Sequence, residues 1–130
     1  MQIVGHGIDI TETDRVARMI EQHGEHFLAR CFTEGERGYA AANPKRLAEH
    51  LAGRFAAKEA ILKALGTGWS DGIGWTDAEV GREKSGRPTV RLHGRAAEIA
   101  AGLGITSWSL SISHVRTHAV ASALAMSEAS

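Results

Sequence analysis

The sequence predicts an α+β protein, with a mainly antiparallel sheet packed against one long helix and shorter helices. Three observations support this prediction. Helical patterns are grouped in the first half of the chain, a hairpin pattern follows them, and two strands with alternating side chains come last. The 130 residues are enough for one domain with a modest core, so we expect a single domain over residues 1–130.

The N-terminal segment QIVGHGIDI, residues 2–10, reads as a short strand because β-branched residues dominate it. Its glycines, Gly5 and Gly7, allow another backbone or a ligand to come close. Asp9 falls near the end of this strand. The segment therefore predicts a carboxylate at the end of a strand that can be approached closely.

A helix is predicted directly after this strand, over residues 11–24. An apolar stripe runs along it, and either Thr11 or Thr13 could cap its start. Gly24 is a typical helix stop. Arg15 and Arg18 lie three residues apart, so they are expected to project together from this helix.

A capping box and a long helix follow. Thr33 and Glu36 have the spacing at which side chains and backbone amides satisfy each other at a helix start, and Asn43 with Pro44 is expected to end that short helix. The next segment, residues 45–66, runs unbroken for about six turns. It is apolar or small nearly all round, which is typical of a buried or interfacial helix.

The second half of the chain reads as a loop followed by strands. Residues 66–75 are rich in glycine and predict the loop. Alternation and turn signals then predict a hairpin, a short helix and two more strands. The predicted elements are hairpin arms 75–83 and 87–94 joined through Lys84, Ser85 and Gly86, a helix over 95–104, and strands 107–115 and 118–127.

Composition excludes several classes of protein. Lysine plus arginine and aspartate plus glutamate balance at 15 each, so no global field favours nucleic acid, and an anionic partner must be met by local basic clusters. No apolar run approaches the ~20 residues that span a bilayer. The single cysteine, Cys31, and the absence of a leader pattern favour a reducing cytoplasm, with Cys31 as a small buried hydrophobe.

Glu59 is the unusual residue of the long helix. A carboxylate on a helix with little exposed surface needs a partner, because an isolated buried charge is very costly. Lys63 lies at i+4 and could pair with it. Alternatively, Glu59 and Asp9 could converge on a hard cation such as Mg²⁺, which proteins use where phosphates are bound. Spacing alone leaves both readings open.

Two readings are also open for the basic residues. A solvated helix face would explain them, but they would also suit a polyanion such as a pyrophosphate. His114 closes the apolar face of its strand and is either a satisfied core residue or a ligand contact. The basic residues of the long helix are Lys45, Arg46, Arg54, Lys58 and Lys63.

Several motifs together resemble one family. The chain is similar over nearly its whole length to the holo-acyl-carrier-protein synthases, the small group of 4′-phosphopantetheinyl transferases. The first motif, GIDI, and the third, on the long helix, are together highly specific. The motifs are GIDI followed by Arg15, then FTEGE, AGRFAAKEAILKALGTG, SGRP and SISH.

The resemblance implies a reaction and a site. Such enzymes move the 4′-phosphopantetheine arm of coenzyme A to a serine of apo acyl carrier protein, for fatty acid biosynthesis, and release adenosine 3′,5′-bisphosphate. It implies Asp9 and Glu59 as Mg²⁺ ligands, and Lys63 as the group that stabilises the phosphate under attack. The further coenzyme contacts that it implies are Lys58 on the same helix face, Arg54 with Lys45 and Arg46 at the 3′-phosphate, Gly66, Thr67, Gly68, Gly86, Arg87, Pro88 and His114.

The resemblance also implies partners. Arg15 and Arg18 match the basic surface that receives the acidic carrier protein, and the family assembles as a homotrimer with active sites between protomers. Small-residue faces on the last two predicted strands fit such an assembly. Two bases are open for the serine proton, a metal-bound water or Glu59. Some relatives have an acidic residue just after the SISH histidine, where this chain has Val115.

Overall fold

The computed structural model describes residues 1–70 and 72–128 of the chain. Its strands and helices confirm the α+β prediction. The α-helices are α1 (Thr13–His23), α2 (Glu25–Cys31), α3 (Glu34–Ala41), α4 (Leu47–Leu65) and α5 (Gly94–Gly102), and the strands are β1 (Gln2–Glu12), β2 (Ala78–Arg82), β3 (Pro88–Leu92), β4 (Ser107–His114) and β5 (His118–Ser127).

The strands form two antiparallel sheets. A three-stranded sheet has the order β1, β5, β4, and the hairpin of β2 and β3 forms a separate two-stranded sheet. In the larger sheet Asp9 of β1 lies opposite Ala121 of β5, which in turn lies opposite Ile112 of β4. Strands β1 and β5, far apart in sequence, therefore pair side by side, with β5 in the middle of the sheet.

Helix α4 is the centre of the core. Most of its residues are buried, and it packs against β1, β4 and β5 of the larger sheet. The approach to β1 is close, because a Cβ atom on Gly7 would lie 1.9 Å from the carbonyl oxygen of Ala60. On β5, the inward face consists of alanines that are fully buried: Ala119, Ala121, Ala123 and Ala125. Small residues on both strands thus set the helix close to the sheet.

Several local predictions are confirmed. Thr33 and Glu36 form the expected capping box, with Thr33 Oγ1 accepting from the Glu36 amide at 3.2 Å and Glu36 Oε1 accepting from the Thr33 amide at 2.8 Å. Gly24 and Gly66 end α1 and α4, and each donates its backbone N–H to a carbonyl of the preceding turn. Cys31 is buried, and burial is the main cause that raises the pKa of its thiol.

Other local predictions are wrong. Neither Thr11 nor Thr13 caps α1, because β1 continues to Glu12 and α1 has no side-chain cap. The long helix begins at Leu47, since Pro44–Arg46 forms a turn of 3₁₀ helix. The first hairpin arm also begins later than predicted, at Ala78, after another 3₁₀ turn. No helix in the described part of the chain is long and apolar enough to cross a membrane.

Candidate active site

Asp9 lies where β1 crosses the C-terminal half of α4. Its Oδ1 atom is 3.2 Å from Nζ of Lys63, which also donates to the carbonyl oxygen of Ile8 at 2.9 Å. The hydroxyl of Thr11 donates to the other carboxylate oxygen, Oδ2, at 2.9 Å. The Asp9 side chain is 17% exposed and that of Lys63 is 52% exposed. A held carboxylate and an accessible lysine therefore share one rim of the sheet.

Glu59 lies one helical turn before Lys63 and is half-buried. Within residues 1–70 and 72–128 its carboxylate makes no hydrogen bond and no ion pair. The i+4 pairing that spacing allowed is not formed, because Lys63 bonds to Asp9 and Ile8 instead. Glu59 is thus left with a carboxylate that can accept an external ligand.

The chemistry of Asp9 and Glu59 fits Mg²⁺. This ion prefers oxygen ligands, and proteins usually hold it through one or two carboxylates while waters and substrate phosphates supply the rest. The described residues contain no cluster of three or more His, Cys, Asp or Glu side chains that could hold a metal ion. A site to which the protein contributes only these two carboxylates is one that a phosphate-bearing substrate completes.

A second group of predicted residues lines a cavity near the other end of α4. We call it the basic cavity; it is lined by Tyr39, His50, Gly53, Arg54, Arg82, Gly86, Pro88, Ile112 and His114. Four predicted contacts therefore come together here. They are Arg54, Gly86, Pro88 and His114.

The basic cavity carries uncompensated positive charge. The guanidinium centre of Arg54 lies 4.1 Å from the ring centroid of Tyr39, and that of Arg82 lies 5.0 Å from the same centroid. Arg54 is only 6% exposed, its buried Nε atom has no hydrogen-bond partner in the described ranges, and burial is the main cause that lowers its pKa. Since no carboxylate of the described residues lines this cavity, an anionic ligand would balance the charge of its arginines.

Sequence reasoning missed five members of the basic cavity, of which Gly53 and Ile112 add only backbone or apolar surface and the other three carry polar side chains. Tyr39 comes from α3, Arg82 from β2, and His50 from the first turn of α4. The Tyr39 ring is the common contact, since His50 stacks on it with the centroids 5.3 Å apart. No sequence motif signals this cluster, because its members come from elements whose docking depends on the complete fold.

Lys58 lies neither beside Asp9 and Lys63 nor in the basic cavity. Its side chain is fully buried, and Nζ bonds to the carbonyl oxygens of Trp75 at 3.0 Å and Ala78 at 2.6 Å and pairs with Glu36 Oε1 at 2.8 Å. Three protein partners match the three donors of an ammonium. The expected coenzyme contact of Lys58 is therefore corrected to a structural role, in which the side chain ties α4 to α3 and to the start of β2.

The remaining predicted contacts lie outside the basic cavity. Lys45 and Arg46 are exposed on the 3₁₀ turn before α4. Arg87 lies on a different groove, beside Glu83. The segment from Gly66 to Gly68 follows the C-terminal end of α4, where Gly66 has a φ of 81° and Gly68 one of 60°.

A groove runs beside α1, and we call it the α1 groove. Its floor includes Met19, Phe27, Phe55 and Trp75, and its basic rim includes Arg15, whose guanidinium centre lies 5.6 Å from the Phe55 ring centroid. The other members of its lining are His23, His26, Arg30 and Cys31. Arg18 is exposed on the same helix but outside the lining. An apolar floor with a basic rim suits an acidic partner that carries an apolar residue.

Solved structures of similar proteins share this fold. A holo-[acyl-carrier-protein] synthase from Neisseria meningitidis matches with a TM-score of 0.86 and 32% identity, covering 96% of this chain and 99% of that one. One from Bacillus anthracis, in complex with CoA (3′,5′-ADP), matches with a TM-score of 0.80 and 37% identity, covering 98% of this chain and all of that one.

Proteins with similar sequences carry the same name as these structures. The holo-[acyl-carrier-protein] synthase of Koribacter versatilis is 48% identical over 122 residues, which are 94% of this chain and 97% of that protein. That of Gloeobacter violaceus is 48% identical over 115 residues, 88% of this chain and 86% of that protein. The model of the 4′-phosphopantetheinyl transferase superfamily matches residues 5–122. The chain therefore belongs to that superfamily, and within it to the holo-[acyl-carrier-protein] synthases.

Proposed function

We propose that this enzyme transfers 4′-phosphopantetheine from coenzyme A to a serine hydroxyl of apo acyl carrier protein. The serine oxygen bonds to the phosphorus on the pantetheine side of the pyrophosphate, and the bond from that phosphorus to the bridging oxygen breaks. Adenosine 3′,5′-bisphosphate leaves with that oxygen. The observation that carries this proposal is Asp9 beside Lys63, with Glu59, which has no partner among the described residues, one turn away.

The main requirement of this reaction is the stabilisation of negative charge on the phosphates. Phosphoryl transfer needs positioned groups that neutralise charge on the transferred and leaving phosphates. Asp9 and Glu59 would hold Mg²⁺, which when bound supplies positive charge to the pyrophosphate. Lys63, half exposed on the same rim, donates to the phosphate under attack. Glu59 is also a base within this chain for the serine proton, with solvent as the alternative acceptor.

The adenosine part of coenzyme A is assigned to the basic cavity. Arg54, whose buried Nε has no partner in the part of the chain that the structure describes, meets the 3′-phosphate, and Gly86, Pro88 and His114 line the space beside it. Lys45, Arg46 and Arg87 are exposed and near enough in sequence to these elements to add charge at the rim. The backbone at Gly66, Thr67 and Gly68 is assigned to the pyrophosphate side, since it follows the helix end nearest Lys63.

Two copies of the chain are needed to build one such site. At ~100° per residue, Arg54 and Lys63 project ~180° apart around α4. The cavity that Arg54 lines and the one formed by Asp9 and Lys63 share no lining residue. We therefore place a single coenzyme A that touches both sets between the Lys63 side of one copy and the Arg54 side of another, as a homotrimer with interfacial sites allows.

The outer face of the larger sheet provides a surface for this assembly. Ile8 is 59% exposed, Ile10 66% and Val120 37%, and all three line the same cavity as Asp9 and Lys63. Contiguous exposed apolar side chains usually mark an interface. We place a neighbouring copy on this face, with its basic cavity toward Lys63.

The carrier protein is assigned to the α1 groove. Arg15 and Arg18 supply positive charge for an acidic carrier, and the Phe27 and Phe55 rings supply an apolar floor. Attraction between opposite charges should make association sensitive to salt. We place the whole activity in one domain over residues 1–130, in the cytoplasm, where holo carrier serves fatty acid biosynthesis.

Mass spectrometry of the carrier tests the proposal directly. Incubation with apo acyl carrier protein, coenzyme A and Mg²⁺ should add the mass of one phosphopantetheine group to the carrier. A chelator should abolish this gain, and a carrier whose acceptor serine is replaced by alanine should show none. Binding of coenzyme A without any mass gain, under each of several divalent ions, would instead identify a binding module and overturn the proposal.

A further inference from the structure

Glu49 and His114 form a short contact at the edge of the basic cavity. Oε2 of Glu49 lies 2.5 Å from Nδ1 of His114, with the two side chains 14% and 31% exposed. Glu49 is in the first turns of α4, and His114 is the last residue of β4. His114 lines the basic cavity and Glu49 does not. The contact thus joins a residue of the cavity wall to a carboxylate behind it.

The carboxylate determines which imidazole nitrogen is available to a ligand. An ionised carboxylate only accepts hydrogen bonds, so Nδ1 of His114 must carry its proton toward Glu49. In the described part of the chain, Nε2 of His114 has no hydrogen-bond partner. Nε2 is therefore the ring atom left for a ligand, and in the protonated ring it donates to an anionic oxygen.

The neighbouring ring keeps His114 in place without competing for the same proton. His50 packs edge-on against His114, with the ring centroids 5.8 Å apart. Burial is the main cause that lowers the pKa of His50, and the charges of His114 and Arg54 act in the same direction. His50 is thus favoured in its neutral form, so it packs on His114 with little charge repulsion.

We propose that Glu49 is a positioning residue for nucleotide binding, which holds His114 so that Nε2 faces the phosphate-bearing ligand of the basic cavity. The inference rests on the proposed coenzyme site, because the ligand it serves is the adenosine 3′,5′-bisphosphate part of coenzyme A. Glu49 touches no ligand itself and acts through His114. Its removal should weaken binding of this part and leave the reacting end of the coenzyme unaffected.

Calorimetry with adenosine 3′,5′-bisphosphate tests the inference apart from catalysis. Glu49→Ala should raise Kd by about tenfold, the value of one hydrogen bond to a charged group. The Kd of Glu49→Gln should lie between those of the native protein and Glu49→Ala, because the glutamine amide oxygen still accepts a hydrogen bond from Nδ1. In the transfer assay KM for coenzyme A should rise by a similar factor while kcat and KM for the carrier stay unchanged. Glu25→Gln, which removes a carboxylate paired with Arg37, both outside the lining of the cavity, is the control.

Nitrogen NMR of the imidazole rings separates positioning from mere stability. His114 should show a hydrogen-bonded Nδ1–H in the native protein and in Glu49→Gln, and should lose this signal in Glu49→Ala. An unchanged Nδ1 signal together with an unchanged Kd in Glu49→Ala would overturn the inference. If the native enzyme binds the bisphosphate but transfers nothing to the carrier, the proposed function is wrong. The role of Glu49 is then still tested by the Kd for the bisphosphate.

Discussion

Lys63 pairs with Asp9 across two elements of the fold, with Nζ 3.2 Å from Oδ1, although 54 residues separate them in sequence. This ion pair holds the end of β1 against α4 before any ligand arrives. It also explains why Glu59 lacks a partner among the described residues, since the lysine at i+4 is already engaged. The arrangement leaves one carboxylate prepared for a cation and one lysine able to turn toward a phosphate.

Neutralising Glu59 tests the cation role. We expect Glu59→Gln to lower kcat by at least about 100-fold, because removal of one charge-stabilising group usually costs that much. The fold should be kept, since Glu59 makes no internal bond in the described residues. Steady-state kinetics at saturating Mg²⁺ and circular dichroism would measure both quantities. Undiminished turnover in this variant would contradict a metal-binding role for Glu59.

Mixing two impaired variants tests whether each site is shared. Arg54→Ala and Lys63→Ala should each be weak alone at low coenzyme A, because they damage opposite sides of α4. In randomly mixed trimers, about a quarter of the interfaces would combine an intact Lys63 side with an intact Arg54 side. Co-expressed variants should therefore regain activity that the separately purified variants lack. Absence of any recovery in verified mixed trimers would indicate that one copy builds the whole site.

Charge reversal on α1 tests carrier docking. Arg15→Glu should raise KM for the carrier about tenfold at low salt, because steering by opposite charge is lost, and should leave KM for coenzyme A unchanged. Arg18→Glu should have a smaller effect, since Arg18 lies outside the lining of the α1 groove. Arg91→Glu, exposed on β3, is the control and should change neither value. Equal increases in both KM values for Arg15→Glu would argue against a docking surface.

Lys58 offers a contrast with Arg54 on the same helix. Lys58→Met should lower the free energy of unfolding by about 3–5 kcal/mol, because it leaves the buried carboxylate of Glu36 without its cation. KM for coenzyme A should stay the same in the fraction that remains folded. Urea unfolding and initial-rate kinetics would measure these effects. A large rise in KM for coenzyme A with normal stability would instead indicate that Lys58 contacts the coenzyme.

The sequence predicted those parts of the fold that have strong local signals. Alternation located β4 and β5, and the capping box located the start of α3. Helix α2 was not predicted, because Gly24 was interpreted only as a stop, whereas it ends α1 and begins α2 at a φ of 49°. Its residues also lack a capping side chain, so nothing local marks their start.

Only some parts of the candidate site could be predicted from the sequence. Motif resemblance grouped Asp9 with Lys63, and the structure has them in contact, but spacing alone favoured Glu59 as the partner of Lys63 equally well. The burial of Lys58 was not predictable from its helix, because its partner Glu36 lies in the capping box of α3 and its carbonyl partners lie at the start of β2. Which side of a helix meets which neighbour is decided by tertiary packing.

The absent side chain of Gly7 has a consequence for movement. With a Cβ position only 1.9 Å from the Ala60 carbonyl oxygen, β1 and α4 interlock backbone to backbone and cannot slide past each other without a clash. Asp9 and Lys63 therefore belong to one rigid unit formed by β1 and α4. We expect any rearrangement that accompanies coenzyme entry to occur in the hairpin turn around Gly86 or at Gly66 and Gly68, where φ is positive. Ligand entry would then change the walls of the site while Asp9 and Lys63 stay in place.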